Sequence, residues 1–582
     1  MRDDDLANDG ETEQDHNDEN ASFCYNKSNV EKEFVVRSEK IKVFLVSSLI
    51  GAMIFVLIYG PYVINPFYDD WIFESGERDL VQHYLGFCLY RTSPWQFPLG
   101  FVTTASFPHD MSVVYTDAIP LFAFIGKILS PVLPAHFQYL GLYGLLSIML
   151  MGGISGLLIF SLTGRPWCAV LCSVFYIISW TMMYRMFYHT SLTSHWLILL
   201  SMLIWLRFDH EKNMVISGLV YFVLSSVAML IHPYLWAMCG GIVFMGLLEM
   251  AVVERKIKAP VICIILYCLT GMICLWVFGA LSSGVGAKLE VGKYEANLNT
   301  LYNSMGMGML PSLPTALLQY EGFGYLGAGV LFLFLLAAAM LAAISIASKT
   351  CPHLSTRRIV IIATAVFFTV FSVVPEISLN DKILFTMKLG KIPDYIVGIF
   401  RSNGRFIWPV CYIILTAILV FLVRLSREKW ITALIILGIV IQFIDIWPFI
   451  TEKHRQFARN DYQYVGYLDD NEEIENVIGR YRHIVMDIDD GEIDQSLSFY
   501  AYLNGLTTND FYYARPIENE VQNTLEALRY DMTQGKYDDT LLYVLGSDRL
   551  PQYKEYELHF YEIKGRYIAS HKPIEGLEEA DI

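Results

Sequence analysis

From residue 41 to residue 450 apolar residues fall into long runs separated by short polar turns, and this spacing organises the chain. A helix needs about 20 mainly apolar residues to cross a bilayer. Runs of that kind recur at 43–63, 138–162, 167–184, 190–206, 214–231, 234–253, 259–282, 326–348, 358–374, 406–424 and 431–450. Lipid offers no partner to open backbone, so each run predicts a helix whose hydrogen bonds close on themselves. The two-residue alternation of a membrane barrel is missing. After Thr451 the pattern changes: HIVMDI and LLYVLGS read as short strands, and EVQNTLEALRYDM carries apolar residues at helical spacing. The expected fold is an α-helical polytopic membrane domain of about 11 transmembrane helices over 40–450, followed by a small α/β domain over 451–582.

Basic residues give the runs a direction, because Lys and Arg in short loops mark the cytoplasmic side. Lys40 and Lys42, Arg165, Arg207 with Lys212, Arg255 with Lys256 and Lys258, Lys349 with Arg357 and Arg358, and Arg424 with Arg427 and Lys429 fall in every second loop. That pattern places the N-terminus inside and turns the loops 64–137, 283–325 and 375–405, with the tail, outward. The alternation holds only if 117–134 does not cross. Its prolines at 120, 131 and 134 and its Lys127 predict a re-entrant or interfacial segment. No internal repeat of the kind found in secondary transporters is visible.

Composition narrows the picture further. Of 582 residues, 54% are hydrophobic and 17% charged, and the net charge of −16 gathers before Lys40 and after Thr451, which excludes a nucleic-acid-binding surface. The acidic segment 1–39 reads as a disordered cytoplasmic tail. Ten cysteines, none after Cys411, form neither a disulfide framework nor a zinc knuckle. The first apolar run follows a polar tail and ends in PYVINPF, so it reads as a retained anchor.

Candidate chemistry concentrates in the outward loops. RDLVQHYLGFCLYR, from Arg78 to Arg91, puts Leu80, Val81, Tyr84, Leu85 and Cys88 on one helical face, which predicts a helix lying in the membrane interface. Asp79 and His83, four residues apart, share a surface on such a helix. An aspartate there is either a base for an acceptor hydroxyl or an acid favoured by the helix dipole. Asp69 and Asp70 are either a carboxylate pair for a cation or a base, or an exposed acidic turn; Asp117 in VVYTDAIP is a site residue or a cap. In FRSNGRFIWP, Arg401 and Arg405 stand at the outer end of a span, where guanidinium groups either bind phosphate or pair with acids such as Asp394. His189 and His232, at outer span ends, read as packing residues. Asp445 lies near the outer end of the last span.

GERDLVQHYLGFCLYRTSPWQFPLG, VVYTDAIPLFA, LLQYEGFGYLGAGVL, GIFRSNGRFIWPV, IQFIDIWP and, in the tail, TNDFYYARP are similar to blocks of the bacterial multi-pass family DUF6311. The plan of one span followed by a long outer loop with an acid before an interfacial helix resembles the GT-C superfamily of polyprenyl-phosphate-sugar-dependent glycosyltransferases. The resemblance implies a GT-C-like fold in a bacterial cytoplasmic membrane and a lipid-linked sugar donor. It also implies a glycan, lipid or protein acceptor, inversion at the anomeric carbon, and an acid of the first outer loop as base. Asp79 matches that acid. The superfamily's tandem acidic pair is absent, since Leu80 follows, which keeps Asp69 and Asp70 as competitors. His83, Arg91, Asp117, Arg401 and Arg405 are the implied substrate contacts. A divalent cation, magnesium or manganese, is the one cofactor the resemblance admits. An oligosaccharide polymerase or ligase, and a transporter or assembly scaffold, are the alternatives.

Overall fold

The computed structural model describes residues 11–582 apart from 208–213, 254, 256, 283–291, 317, 350–353, 426–427, 470, 489–493 and 516–519. The chain opens with α1 (Glu11–Tyr59), whose apolar part is Val35–Tyr59. A first loop layer follows: α2 (Asp70–Glu74), α3 (Arg78–Thr92), the hairpin β1 (Phe101–Val102) and β2 (Met111–Ser112), and α4 (Pro120–Leu129). The bundle continues with α5 (Leu140–Thr163), α6 (Pro166–Ile177), α7 (Trp180–Met183), α8 (Trp196–Arg207), α9 (Met214–Ile231), α10 (Pro233–Val253) and α11 (Lys258–Val277). After a second loop come α12 (Ala328–Ser348) and α13 (Thr356–Val373), then the hairpin β3 (Glu376–Leu379) and β4 (Lys382–Thr386) with α14 (Lys391–Ile399). The long helices α15 (Trp408–Leu425) and α16 (Glu428–Phe457) close the bundle. Among the described residues, nine helices are long and apolar enough to cross a membrane. The protein is a multi-pass membrane protein.

Close helix contact comes from small residues, which let backbones approach where lipid supplies no hydrophobic drive. On α1 and α5, a Cβ added to Gly51 would lie 2.7 Å from the Ile148 carbonyl oxygen, and one added to Gly156 would lie 2.6 Å from Ser47 Oγ.

Three expectations are revised. The runs 167–184 and 190–206 are not two full spans, because α6 and α8 have 12 residues each, about 18 Å apiece. Between them lie α7, irregular backbone and a 3₁₀ turn at Thr190–Thr193, almost wholly buried. Such backbone survives at membrane depth only inside protein. Second, α3 does not lie in the interface with a polar face in water: every residue from Leu80 to Arg91 is buried. It is enclosed by α4 on one side and the tail domain on the other, and Gly86 fits because a Cβ would stand 2.6 Å from Thr116 Cβ. Third, helical backbone already occupies 11–39, where the sequence predicts disorder, because α1 begins at Glu11 and runs through a segment with six Glu and neither Gly nor Pro. Residues 1–10 of that tail lie outside the described residues. By contrast, α4 has 10 residues, about 15 Å, too short to cross.

The tail domain begins beyond Phe457, where α16 ends. It comprises α17 (Glu472–Val477), β5 (His483–Asp487), α18 (Gln495–Leu503), β6 (Thr507–Thr508), α19 (Glu520–Thr533), β7 (Leu541–Leu545), β8 (His559–Ile563) and β9 (Arg566–Ser570). The two strands and the helix read from the sequence are β5, β7 and α19. The sheet runs β6-β5-β7-β9-β8, with β5 parallel to β6 and β7 and the other pairs antiparallel. It is stitched to the first loop by backbone bonds: Thr508 N–H donates to Thr104 O (2.9 Å), Phe107 N–H to Thr508 O (3.0 Å) and Ala514 N–H to Tyr115 O (2.9 Å). Gln495 Nε2 donates to Arg78 O at 2.7 Å, and Phe73 stacks on Tyr464 at 4.1 Å.

Polar side chains of α16 hold the start of α12. Asp445 accepts from Ala328 N–H (2.9 Å), Met309 N–H (2.9 Å) and Trp180 Nε1–H (3.2 Å). Gln442 Oε1 accepts from Gly329 N–H (3.0 Å) and Val330 N–H (3.2 Å). The Ala328, Gly329 and Val330 N–H groups are orphan donors of the α12 N-terminus, where negative charge is favoured. Asp445→Leu strands three buried donors and is expected to cost about 3 kcal/mol or more, with Asp445→Asn losing less; thermal unfolding in detergent measures both.

Candidate functional site

Asp79 sits in the first turn of α3, at the end that faces the broken α6–α8 connection. Its Oδ2 stands 3.4 Å from His189 Nε2. The other imidazole nitrogen, Nδ1, is 3.3 Å from Arg185 Nη1. A guanidinium only donates, so Nδ1 accepts and the His189 proton lies on Nε2, directed at Asp79. Asp117 has the same arrangement. Its Oδ1 is 3.3 Å from His232 Nε2, while His232 Nδ1 accepts from Tyr234 N–H at 3.1 Å. His232 therefore also presents an Nε2 proton to a carboxylate. Asp117 and Ile119 adopt φ of 56° and 55°, just before Pro120 opens α4. Strain of that kind persists where the surroundings fix the residue.

Behind these pairs lies a buried ion cluster. Glu321 Oε2 is 2.8 Å from Arg185 Nη2 and 2.8 Å from Arg405 Nε. Arg185 also donates to Glu321 O at 3.2 Å and lies over Tyr184 and Trp408, while Arg405 lies over the Tyr234 ring at 4.8 Å. Glu321 comes from the loop before α12, Arg185 from the α6–α8 break and Arg405 from a 3₁₀ turn, Asn403–Ile407, leading into α15. His83 is buried beside them; its Nδ1 lacks a hydrogen-bond partner and its ring centroid is 6.5 Å from that of His189.

The electrostatics separate the carboxylates. Arg185 and Arg405 are matched in charge by Glu321 and Asp117, so an ionised Asp79 is surplus negative charge. Burial first, then Asp117, Glu321 and Glu77, push the Asp79 carboxyl up to about 6, against Arg405. Burial would raise Asp117 too, but the His232 hydrogen bond and the surrounding imidazoles outweigh it and hold the group well below the usual range. For Glu321 the two arginines outweigh burial with the same result. Burial pushes His83 down to about 4 and His189 well below its ordinary value, which keeps both neutral at pH 7. Asp79 alone of the three acids changes protonation near neutral pH.

The remaining candidates are distributed elsewhere. Asp79 meets His189, 110 positions away in sequence, rather than His83. Arg401 reaches the rim, over Tyr294 at 5.5 Å and against the Tyr512 hydroxyl of the tail. Asp69 lies among residues that pack under the tail: Tyr84 O–H donates to it at 2.6 Å, and His136 Nδ1 is 3.2 Å away. Asp70 accepts from Tyr464 N–H at 3.2 Å and opens α2. Arg91 is at the far end of α3 and donates to Ser130 Oγ, Leu133 O and Pro134 O, tying down the turn after α4. Among the described residues no group of three His, Cys, Asp or Glu side chains gathers as a metal ion requires. His189 and His232, read as packing residues, are carboxylate partners, and Arg185, Glu321 and Tyr234 carry no expectation. One signal points to Glu321: it is the only acid between Glu295 and Glu376.

Residues 48–447 match the domain of unknown function DUF6311 and residues 473–571 its C-terminal domain, and the chain belongs to that family. No curated protein matches the chain. Among solved structures, the archaeal oligosaccharyltransferase AglB from Archaeoglobus fulgidus, in complex with an inhibitory peptide and a dolichol-phosphate, is 12% identical with a TM-score of 0.38, over 93% of this chain and 76% of that one. The apo form of the Archaeoglobus fulgidus oligosaccharyltransferase is 11% identical with a TM-score of 0.39, over 92% and 75%. At that overlap the likeness decides neither the fold nor the chemistry of this chain.

Two outcomes test the electrostatics. Glu321→Leu leaves two buried guanidiniums without their carboxylate and is expected to cost about 3–5 kcal/mol, read as a lower melting temperature. The raised Asp79 group favours the folded state only at low pH, and that contribution is lost as pH rises through about 6. Asp79→Asn is therefore expected to stabilise the protein at pH 7.5 by roughly 1 kcal/mol, discounted for solvent exposure, and to have no effect below about pH 4.

Proposed function

We propose that this protein transfers a sugar from a polyprenyl-phosphate donor to a hydroxyl of an extracytoplasmic glycan, lipid or protein, with Asp79 as general base. The observation that carries this reading is a partly exposed carboxylate whose proton affinity is raised to about 6, at the rim of a cluster holding two arginines. A base with affinity near the working pH combines availability with driving force. Its neighbour His189 offers Nε2–H to one carboxylate oxygen, leaving the other to take the acceptor proton.

In this reading the acceptor oxygen loses its proton to Asp79 and bonds to the anomeric carbon as the bond from that carbon to the phosphate oxygen breaks. The lipid phosphate leaves with one further negative charge. Arg401 on the rim, with Arg405 behind it, supports the neutralisation of that charge. The alternation of basic loops supports a site on the outer face of a bacterial cytoplasmic membrane with the N-terminus inside. His83 is a buried neutral neighbour of this pair, and Asp117, held ionised, sets the charge balance that keeps the Asp79 proton affinity high.

The test uses purified protein in lipid nanodiscs and a panel of labelled donors, single sugars on polyprenyl monophosphate and oligosaccharides on diphosphate. Transfer is expected from a monophosphate donor, with kcat/KM rising from pH 5 to a plateau above about 7. Asp79→Asn is expected to lower kcat by about 100-fold or more. An unchanged rate in that variant removes Asp79 from the role, and a panel in which no donor is bound or consumed removes the function.

A further inference from the structure

The outward segment between α13 and α15 presents more uncovered apolar surface than a soluble loop tolerates. In β4, Ile383, Leu384 and Phe385 are 53%, 58% and 58% exposed. A bulge leaves Leu384 unpaired, and Phe385 pairs with Ile377 while Ile383 pairs with Ser378; since Ile377 and Ser378 are successive residues of β3 and lie on opposite faces, both faces of this hairpin strand carry a bare apolar side chain. The following helix repeats the pattern. Ile392, Tyr395, Ile396 and Ile399 fall at i, i+3, i+4 and i+7, one stripe of α14, and all are exposed, while Val397 and Gly398 are buried on the inner side.

The segment is nevertheless held in a fixed position. At the turn of the hairpin, Asn297 Nδ2 donates to Asn380 O (2.7 Å), Asn299 Nδ2 to Asn380 Oδ1 (3.0 Å) and Gln319 Nε2 to Ser378 Oγ (2.6 Å). Met387 N–H returns to Pro375 O at 2.8 Å, closing the base beside the end of α13. The apolar surface is thus a built feature. It continues the lipid-facing side of α13, where Phe367 and Val370 are exposed.

We propose that residues 376–399 form a paddle immersed in the outer boundary of the bilayer, with phospholipid as its occupant. A protein partner covers one face of a strand, whereas lipid surrounds both. The open edges of a two-stranded hairpin forbid the hydrocarbon centre, where unpaired backbone is costly, and so set the depth at the headgroup boundary. Charges of both signs, Glu376, Asp381, Lys382, Lys388, Lys391 and Asp394, flank the apolar stripe and suit a zwitterionic headgroup layer. Tyr395 is of the type enriched at that level. The paddle leads into Arg401, two residues after α14, so one continuous element joins lipid to the cluster around Glu321. This proposal is independent of sugar transfer.

The test places photoreactive benzoylphenylalanine singly at Leu384, Tyr395 and, as a water-exposed control on the tail domain, Tyr530, in full-length protein in phospholipid nanodiscs. Exposure at all three sites predicts unchanged melting temperatures. The expected result is phospholipid adducts at 384 and 395, at least about tenfold above 530, found by mass spectrometry. Adducts equal at all three sites, or crosslinks from 384 and 395 to a second copy or to another protein, overturn it. A double variant, Leu384→Glu with Phe385→Glu, is expected to abolish adducts at 395 by lifting the paddle into water; full retention of those adducts counts against a single immersed unit.

Discussion

One carboxylate shared by two guanidiniums governs the end of the helix bundle that carries the tail domain. Glu321 is drawn out of water, and an uncompensated charge there costs several kcal/mol. Arg185 and Arg405 meet it from separate segments, so the loop before α12, the α6–α8 break and the entry to α15 have no freedom to move apart. The same constraint explains why the α6–α8 pair is broken. A continuous helix through residues 178–195 would carry Arg185 along a regular ridge, whereas the break folds it inward between Tyr184 and Trp408. From Glu321 a line of donors runs through Arg185 to His189 and ends at Asp79. Glu321 thus adds to what burial and Asp117 already do at Asp79, a carboxylate it does not touch.

The tail domain completes what the membrane part leaves open. α3 is polar on several sides and would be a poor membrane-surface helix; α18 supplies the missing cover, and residues 508 and 514 tie the tail to the loop that follows α3. Asp69 is absorbed in that contact, bonded to Tyr84 under Phe499. Tyr512, from the tail, stands against Arg401 of the membrane part, so the rim is made by both.

Much of this arrangement is legible from the residues. Apolar runs give the long helices, the prolines of 120–134 give a segment too short to cross, and local pattern gives β5, β7 and α19. Asp79 and the Arg405 entrance are legible too, because an acid before a helix and a pair of arginines at a span end are local signals. The partners are not. His189 and His232 read as packing because no acid lies near either of them in sequence; their carboxylates, Asp79 and Asp117, come from the first loop. Periodicity also misjudges α3: five apolar positions on one face imply a solvated opposite face, and only tertiary contact shows that the tail encloses it. The break between α6 and α8 is invisible for the same reason, since both halves are apolar throughout.

The length of α16 has a consequence for how the acid of α3 is held. Its 30 residues rise about 45 Å, against about 30 Å of hydrocarbon. Roughly 15 Å of helix therefore stands clear of the acyl chains as a post on which the tail domain is mounted. Lys453, in the last turns of that helix, bonds Glu77 at 2.9 Å, the residue just before α3, so the same post also fixes the turn that carries Asp79. Moving the post would move the acid with it.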